Sequence, residues 1–378
     1  MRILYFSRSY TTHDRRFLTE LAASPHEIWY LRLENDTIRY EVQAVPEGVR
    51  ELSPLGGGER VSVPELWIRL VPRLEVVLDQ VQPDLVHAGP VQSCAFLTAL
   101  TGFHPLLAMS WGSDLLVDAG RDDFWAWMTR YALHRADILA TDCTEVSDAA
   151  YRIASVEGNR IVQFPWGVDT QVFRQGTDML RLRSRPGWEN SVIVISTRSW
   201  EPNFGVLQLL NGFQLAHSRD PRLRLVLMGD GSQRLEVDRL ILNCDMAEDV
   251  WRPGTVEHEK LPEYFRAADI YASFTYSDGS SVSLLEAMAT GLPVIATDRA
   301  SNREWIADGS NGRLVPFGNA QAMAAALLDL ASMTPDSRRV INARNRTVIE
   351  QRADWKLNVG RLFEAYERFL PQAEEVRT

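Results

Sequence analysis

The chain has 378 residues, which is more than a typical single domain and favours two. Apolar residues make up 45% of the chain, enough for ordinary globular cores. The net charge of -10 argues against an extended nucleic-acid-binding surface, because such a surface needs an excess of Lys and Arg. We therefore expect a globular protein of two domains that does not bind nucleic acid.

The cysteines and the apolar runs bear on the compartment. The three cysteines, Cys94, Cys143 and Cys244, are far apart and odd in number, which indicates a reducing compartment rather than a disulfide framework. No stretch approaches the roughly 18 apolar residues of a membrane span, and the apolar run at residues 1–6 is too short for a signal peptide. These features predict a cytoplasmic protein and leave peripheral association with the inner membrane surface open.

Short apolar runs typical of strands alternate with longer helical patterns along the chain. In the first half the predicted strands are residues 2–6, 27–31, 84–88, 106–110, 138–141 and 160–164. In the second half they are residues 191–196, 222–228, 269–276 and 293–297. Strands that alternate with helices favour parallel sheets covered by helices on both faces. The pattern predicts an α/β protein with two Rossmann-like, doubly wound domains that face each other across a cleft.

The alternation is interrupted once, by a stretch rich in Arg, Ser, Gly and Pro at residues 175–190. We interpret it as a linker and expect an N-terminal domain at 1–176, a linker at 177–190 and a C-terminal domain at 191–352. Residues 353–378 favour a helix with apolar side chains on one side. Those side chains are Trp355, Val359, Leu362, Phe363 and Tyr366.

The most informative segment is residues 276–295, where a strand is followed by a tight turn, a helix, a glycine and another strand. Ser280 or Ser281 can cap the helix and Gly291 can end it. A helix N-terminus suits a diphosphate, because its free N–H groups and the positive end of its dipole point outward. Ser283, Glu286 and Thr290 form a narrow polar stripe on an otherwise apolar helix, which we expect to face either solvent or a cleft.

Asp278 and Glu286 are separated by seven residues and followed by Ala-Met-Ala-x-Gly-x-Pro-Val-Ile, a pattern that resembles the donor-site signature of glycosyltransferase family 4. The resemblance implies the two-domain GT-B fold, with an acceptor-side domain at 1–176, a nucleotide-sugar-binding domain at 191–352 and a C-terminal helix at 353–378 that packs back on the N-terminal domain. It further implies retention of the donor's anomeric configuration. It also implies that Glu286 holds ribose hydroxyls, that Asp278 contacts the sugar, and that the turn of Ser280, Ser281 and Val282 contacts the diphosphate. The family's usual first acid is Glu, so Asp278 is one methylene shorter.

Two further stretches resemble the family's phosphate site. Gly229, Asp230 and Gly231 follow a strand, as the glycine turn near the nucleotide does in the family, although a lone Gly-x-Gly is weak evidence. Arg198 follows another strand and matches the family's phosphate-binding Arg; a surface ion pair is the alternative. The Lys that family members usually carry a few residues later is missing from 201–205, so Arg303 or a helix N-terminus is left as its substitute.

The first half also carries candidate residues after its strands. Trp111-Gly112-Ser113-Asp114 stands where many relatives have His-Gly-Ser-Asp, so Asp114 is a candidate and a turn Asp is the alternative. Thr11 and Asp14 match a capping box, which places His13 in the first turn of a helix as a candidate acceptor-side group. His87 ends another strand, with a structural role as its alternative. The turn at 164–169 resembles the family's Pro-x-Gly-Val-Asp and is interpreted as structural.

The resemblance leads to a hypothesis for the whole chain: a retaining hexosyltransferase-like enzyme of polysaccharide or glycolipid assembly. Its substrates would be a UDP- or GDP-linked sugar and a saccharide, lipid-linked or small-molecule acceptor. No Asp-x-Asp occurs and the histidines are not spaced as metal ligands, so we expect no metal and no cofactor besides the donor. The aromatic and basic stretch 121–135 could dock a lipid-linked acceptor, or simply pack on the core. A sugar-nucleotide epimerase or hydrolase, or a catalytically silent relative, is the alternative.

Overall fold

The computed structural model describes residues 1–34, 41, 43–56, 64–177 and 181–369. Two compact units make up the chain. The first comprises Met1–Pro165 together with the residues from Val359 onward, and the second comprises Trp166–Asn358. No helix among the described residues combines the length and the apolar character that crossing a membrane requires.

The first unit is built on a sheet of seven parallel strands in the order β3-β2-β1-β4-β5-β6-β7. Its strands are β1 (Arg2–Ser7), β2 (Glu27–Arg32), β3 (Val49–Glu51), β4 (Leu85–Gly89), β5 (Leu106–Met109), β6 (Ile138–Thr141) and β7 (Ile161–Gln163). Strands β4, β5 and β6 are buried along their whole length, as expected where helices cover both faces of a parallel sheet.

Helices connect these strands and cover the sheet. They are α1 (Thr12–Ala22), α2 (Pro64–Ile68), α3 (Val71–Val81), α4 (Phe96–Thr101), α5 (Ser113–Leu116), α6 (Asp123–Arg135) and α7 (Thr144–Ala154). Helix α1 begins with the predicted capping box: Thr11 accepts from the Asp14 amide, and the Asp14 carboxylate accepts from the Thr11 amide. This confirms that His13 lies in the first turn of a helix.

The second unit contains a sheet of six parallel strands in the order β10-β9-β8-β11-β12-β13. Its strands are β8 (Val192–Ser196), β9 (Leu223–Met228), β10 (Val250–Gly254), β11 (Ile270–Ser273), β12 (Val294–Thr297) and β13 (Gly312–Val315). Its helices are α8 (Val206–His217), α9 (Arg234–Asn243), α10 (Leu261–Ala267), α11 (Val282–Ala289), α12 (Ala300–Arg303), α13 (Ala320–Ala331) and α14 (Pro335–Arg352). The two parallel sheets confirm the predicted fold class.

The segment expected to be a linker packs on the second unit instead of running free. Leu182 and Trp188 are buried in a core cluster of that unit, and the Trp188 indole N–H donates to the carbonyl of Glu248 at 3.1 Å. The stretch holds more buried apolar surface than its composition indicated, because one tryptophan supplies most of it. Residues 178–180 of the expected linker lie outside the described residues.

The last helix, α15 (Trp355–Glu367), contributes its later residues to the first unit. The hydroxyl of Tyr366 lies 2.6 Å from Nδ1 of His87 on β4, and Arg361 donates to the carbonyl of Gln163 at 3.0 Å. Both contacts lie among residues that the first unit itself contains. The final residues of the chain, 370–378, lie outside the described part.

Candidate functional site

Arg198 is at the centre of a polar cluster that follows β8. Its guanidinium donates to Ser281 Oγ at 2.8 Å and to Ser283 Oγ at 3.2 Å, and it forms an ion pair with Asp278 at 2.7 Å. The guanidinium carbon also lies 4.3 Å from the centre of the Phe204 ring. Only 14% of the side chain is exposed, so this is not the surface ion pair that was the alternative.

Asp278 lies on the turn between β11 and α11, and backbone contacts fix that turn. Ser301 Oγ donates to the Asp278 carbonyl at 3.0 Å, and the Asn203 amide side chain donates to the Ser277 carbonyl at 2.8 Å. The Asp278 carboxylate pairs with Arg198 and makes no hydrogen bond to the N-terminal amides of α11 among the described residues. The carboxylate therefore does not cap the helix.

The N-terminus of α11 is formed by the two serines that the sequence singled out. Ser281 is the residue preceding the helix, but its hydroxyl accepts from Arg198 rather than capping the backbone. Ser280 is buried, and its hydroxyl accepts from the indole N–H of Trp305 at 3.2 Å. Since the Ser281 side chain makes no capping hydrogen bond, the first amides of α11, beginning at Val282, are candidates to bind an anion.

Glu286 lies one turn further along α11 and is buried, with 2% of the residue exposed. Its Oε1 lies 2.6 Å from Nε2 of His258, which belongs to the short turn between β10 and α10. Thr290 is also buried, and its hydroxyl donates to the Ala287 carbonyl. Burial excludes the solvent-facing alternative for Glu286 and Thr290, because neighbouring elements of the same unit cover them.

The glycine turn after β9 packs directly against the backbone of the Arg198 loop. A side chain at Gly229, whose φ is +97°, would come within 2.7 Å of the Arg198 carbonyl oxygen. One at Gly231 would come within 2.5 Å of the Trp200 carbonyl oxygen. The glycines are thus required by a close backbone approach, and they fix the loop that carries Arg198.

Asp230, between these glycines, is half exposed and forms an ion pair with Arg234 at 2.6 Å. A cavity of about 460 Å³ lies beside it. Its lining residues are Trp200, Gly229, Asp230, Arg234, Asp238, Leu242, Arg252 and Gly254.

The stretch 201–205, which lacks the expected lysine, begins with an acid that has structural contacts. Glu201 accepts from the amide of Ser232 at 2.9 Å and also from its hydroxyl. Arg303, named as a substitute cation, pairs with Asp298 at 2.6 Å and leaves 61% of its side chain exposed.

Several buried polar atoms around Arg198 have no hydrogen-bond partner in the described part of the protein. They are Arg198 Nε, Asn203 Oδ1 and Ser277 Oγ. Buried polar atoms in folded proteins are nearly always paired. Such unsatisfied atoms near a charged cluster are typical of a site that binds a polar ligand.

In the first unit, the buried Asp114 carboxylate accepts hydrogen bonds from groups of the same unit. The residue is 2% exposed, and its carboxylate accepts from Ser110 Oγ at 2.5 Å and from the amides of Val91, Trp111 and Leu115. Burial raises the pKa of this carboxyl. These contacts agree with the alternative interpretation, a turn Asp.

The two histidines of the first unit differ in environment. His87 is fully buried between Tyr366 and Met109, and burial lowers its pKa to about 3, so it is a neutral structural residue near neutral pH. His13 is partly exposed, and its ring centre lies 5.7 Å from that of Trp111. The rings of His13 and Trp111 are therefore adjacent, although the strands that they follow, β1 and β5, are separated by β4.

His258 is the site residue that sequence reasoning missed. It lies in a turn rich in charged residues, Glu257-His258-Glu259-Lys260, where a lone histidine carries no signal of its own. Within the described residues no group of three or more His, Cys, Asp or Glu side chains is arranged to hold a metal ion.

Comparisons with known families match both units. Residues 180–347 match the model described as "Glycosyl transferases group 1", and residues 2–143 match "Glycosyl transferase 4-like". The chain is 30% identical over 225 residues to a phosphatidyl-myo-inositol mannosyltransferase of Mycolicibacterium smegmatis. That match covers 59% of this chain but only 56% of the relative's length.

Solved structures with the same fold cover nearly the whole chain. Anabaena Alr3699/HepE in complex with UDP-glucose superposes with a TM-score of 0.79 at 18% identity, over 97% of this chain and all of that one. Sucrose-phosphate synthase from Thermosynechococcus elongatus gives a TM-score of 0.81 at 18% identity, over 97% and 98% of the two chains. At such low identity these likenesses show a shared fold, the two-sheet GT-B fold of glycosyltransferases.

Proposed function

We propose that the chain, whose two halves match glycosyl transferase family models, is a retaining glycosyltransferase of polysaccharide or glycolipid assembly. It would move a sugar from a nucleotide-sugar donor to a saccharide, lipid-linked or small-molecule acceptor. The observation that carries the proposal is the cluster of Arg198, Asp278 and the N-terminus of α11, with Glu286 one turn further on.

Each member of this cluster has a chemical task in the proposed reaction. The guanidinium of Arg198 and the first amides of α11 would bind the diphosphate and stabilise the charge that grows on it as the sugar leaves. Glu286 would accept hydrogen bonds from the ribose hydroxyls. Asp278 would accept them from hydroxyls of the donor sugar, without acting as a nucleophile.

The ion pair between Arg198 and Asp278 gives this proposal a specific consequence. The Asp278 carboxylate lies 2.7 Å from the Arg198 guanidinium, so a diphosphate bound by Arg198 would compete with Asp278 for the same donor group. Displacement would leave the Asp278 carboxylate to bind the sugar. Arg198 and Asp278 lie on loops that follow neighbouring strands, β8 and β11. The exchange would therefore need only a small movement of the short Asp278 side chain.

The nucleotide of the donor is proposed to be UDP or GDP. UDP-glucose is bound by Alr3699/HepE, which shares the fold but only 18% of the sequence. A thermal-shift screen of nucleoside diphosphates selects the base directly, because a ligand that binds only the folded state raises the midpoint of unfolding by mass action. A stabilisation by UDP or GDP, absent with the free base, is the expected result.

A lipid-linked acceptor is one of the proposed acceptor classes, and helix α6 supports it. Trp127 is 42% exposed on this helix, its ring stacks on that of Phe124, and Arg130 and Arg135 are exposed nearby. Aromatic and basic side chains together favour binding at an anionic membrane surface. Co-sedimentation with anionic vesicles, compared between the wild type and the Trp127→Ala variant, tests this part of the proposal.

Activity measurements separate the proposal from its alternatives. A panel of UDP- and GDP-sugars is incubated with and without saccharide and lipid-linked acceptors, and the products are followed by NMR. A transferase consumes the donor far faster with acceptor and gives a product of retained anomeric configuration. Turnover without any acceptor would indicate an epimerase or hydrolase, and nucleotide binding without turnover would indicate a silent relative.

A further inference from the structure

The hydrogen bond between His258 and Glu286 joins two elements of the second unit. His258 belongs to the short helical turn His258–Lys260 before α10, and Glu286 belongs to α11. Their side chains meet at 2.6 Å between Nε2 and Oε1. The histidine is one-third exposed, whereas the glutamate side chain is only 3% exposed.

The carboxylate of Glu286 has His258 as its hydrogen-bond partner, because the hydroxyls of Ser283 and Thr290 on the same stripe bond to other groups. The neighbouring residues Leu285 and Ala287 are apolar and buried. Within the described residues, the His258 ring makes the single hydrogen bond to the Glu286 side chain. Burying a carboxylate without a donor is costly, so the side chain would otherwise turn toward water.

The histidine ring is itself held in place. Phe173, which is 1% exposed, packs against it with a distance of 5.2 Å between ring centres. Hydrogen bonds on both sides fix the backbone of Phe173: its amide donates to the Asp169 carbonyl at 2.9 Å, and its carbonyl accepts from Arg346 at 2.6 Å. The ring is therefore presented to Glu286 from a rigid support.

We propose that His258 is a positioning residue for donor binding: it fixes Glu286 Oε1, so that Oε2 is aimed to accept from the vicinal hydroxyls of the donor ribose. This inference rests on the proposed function, which places the ribose at Glu286. It identifies His258 as a determinant of ribose recognition through Glu286.

The test compares two polar substitutions of different reach. In His258→Gln the amide nitrogen can occupy the position of Nε2 and donate to Glu286. In His258→Asn the amide is shorter and reaches only the position of Nδ1. Both variants keep a polar side chain at a partly exposed position, so a difference between them reports the hydrogen bond rather than the loss of the ring.

Calorimetry measures the binding of UDP and GDP and of their 2′-deoxy counterparts. Steady-state kinetics are measured with the nucleotide-sugar that the enzyme uses. We expect His258→Asn to weaken binding of the ribonucleotide about tenfold and to reduce the preference over the 2′-deoxy compound. KM for the donor should rise while kcat changes little, as for an interaction made in both ground and transition states. His258→Gln should restore most of both properties. Lys260→Ala, in the same turn, pairs with Glu257 at the surface and serves as the matched control.

Equal losses for ribose and deoxyribose ligands, or no difference between the Gln and Asn variants, would overturn the positioning role. Glu286→Ala separates this failure from that of the proposed function. If Glu286→Ala removes the preference for ribose but His258→Asn does not, only the role of His258 is wrong. If Glu286→Ala itself leaves nucleotide binding unchanged, the proposed ribose site fails and this inference fails with it.

Discussion

Polar side chains lie near the carboxyl ends of both sheets, but they differ in burial and in their hydrogen-bond partners. In the first unit, the buried carboxylate of Asp114 accepts hydrogen bonds from four donors of its own fold, and His87 is enclosed completely. In the second unit, Arg198 and Asp278 keep 14% and 22% of their side chains exposed and bind mainly each other. A polar group satisfied by its own fold belongs to the scaffold. An ion pair that is partly exposed, such as Arg198 and Asp278, can exchange one partner for a ligand.

The largest expected effect in the second unit comes from removing the charge of Glu286. Glu286→Gln keeps the volume of a buried side chain, so the fold should be retained. The amide has one acceptor oxygen and must share it between His258 and the ribose. We expect transfer to fall about a hundredfold or more, measured as kcat/KM for the donor, with an unfolding midpoint close to that of the wild type. Full activity of this variant would mean that the buried carboxylate is structural, like Asp114.

The same substitution made once in each unit tests the comparison directly. Asp278→Asn should lower kcat on the order of a hundredfold, because the sugar loses a charged acceptor. It should leave nucleoside diphosphate affinity unchanged or slightly tighter, since the competitor for Arg198 loses its charge. Asp114→Asn should lower the free energy of unfolding by about 1–3 kcal/mol, because its amide nitrogen would face N–H donors, while KM stays near the wild-type value.

Kinetics and chemical denaturation of both variants give the readouts. An Asp114→Asn enzyme of normal stability and reduced kcat would show that Asp114 acts in the reaction and not only in stabilising the fold. An Asp278→Asn enzyme with normal kcat would assign Asp278 to the ion pair alone.

Arg198 is expected to act on the diphosphate more than on the nucleoside. Arg198→Ala should weaken nucleoside diphosphate binding about ten- to a hundredfold, as for loss of a charge-assisted hydrogen bond, and nucleoside binding much less. Arg222→Ala is the matched control, because Arg222 belongs to the same unit and pairs only with the neighbouring Asp220 at the surface. Calorimetry with both ligands on both variants gives the comparison. Equal losses for nucleoside and diphosphate would remove the phosphate role of Arg198.

The sequence predicted more of the second site than of the first. Short apolar runs and local turn residues predict where the strands end and where the helix after Asp278 begins. Arg198 and Ser281 could therefore be placed at the carboxyl edge of the sheet, where open parallel sheets bind ligands. Burial of Glu286 could not be predicted, because the cover comes from His258, a residue 28 positions earlier in a charged turn. The strands β3, β10 and β13 were also missed, since short or irregular edge strands carry little periodic signal.

In the first unit the sequence left Asp114 and His87 open between function and structure. Local patterns cannot decide between these roles. The partners of Asp114 include the Val91 amide, 23 positions away, and His87 meets Tyr366, 279 positions away. Only the packed fold shows that distant donors already satisfy these groups.

The smallest effect at neutral pH, and the last test of the comparison, concerns His87. Burial lowers its pKa from 6.5 to about 3, so between these values the unfolded chain binds more protons than the folded protein. The stabilising contribution of neutral His87 is therefore fully present above about pH 6.5 and is lost as the pH falls toward 3.

His87→Asn can keep a hydrogen bond to Tyr366 but cannot titrate. Asp14, whose pKa burial raises to about 6, acts in the opposite direction, because it gains a proton more readily when folded. Both proteins contain Asp14, so the difference between their unfolding curves isolates His87. We expect the free energy of unfolding of the wild type to fall more steeply than that of His87→Asn between pH 6.5 and 4. The difference should grow to about 2–3 kcal/mol, measured by urea denaturation at each pH. Parallel curves would show that His87 takes up a proton in the folded protein without cost. The contrast between enclosed polar groups in the first unit and partly exposed ones in the second would then not hold at His87.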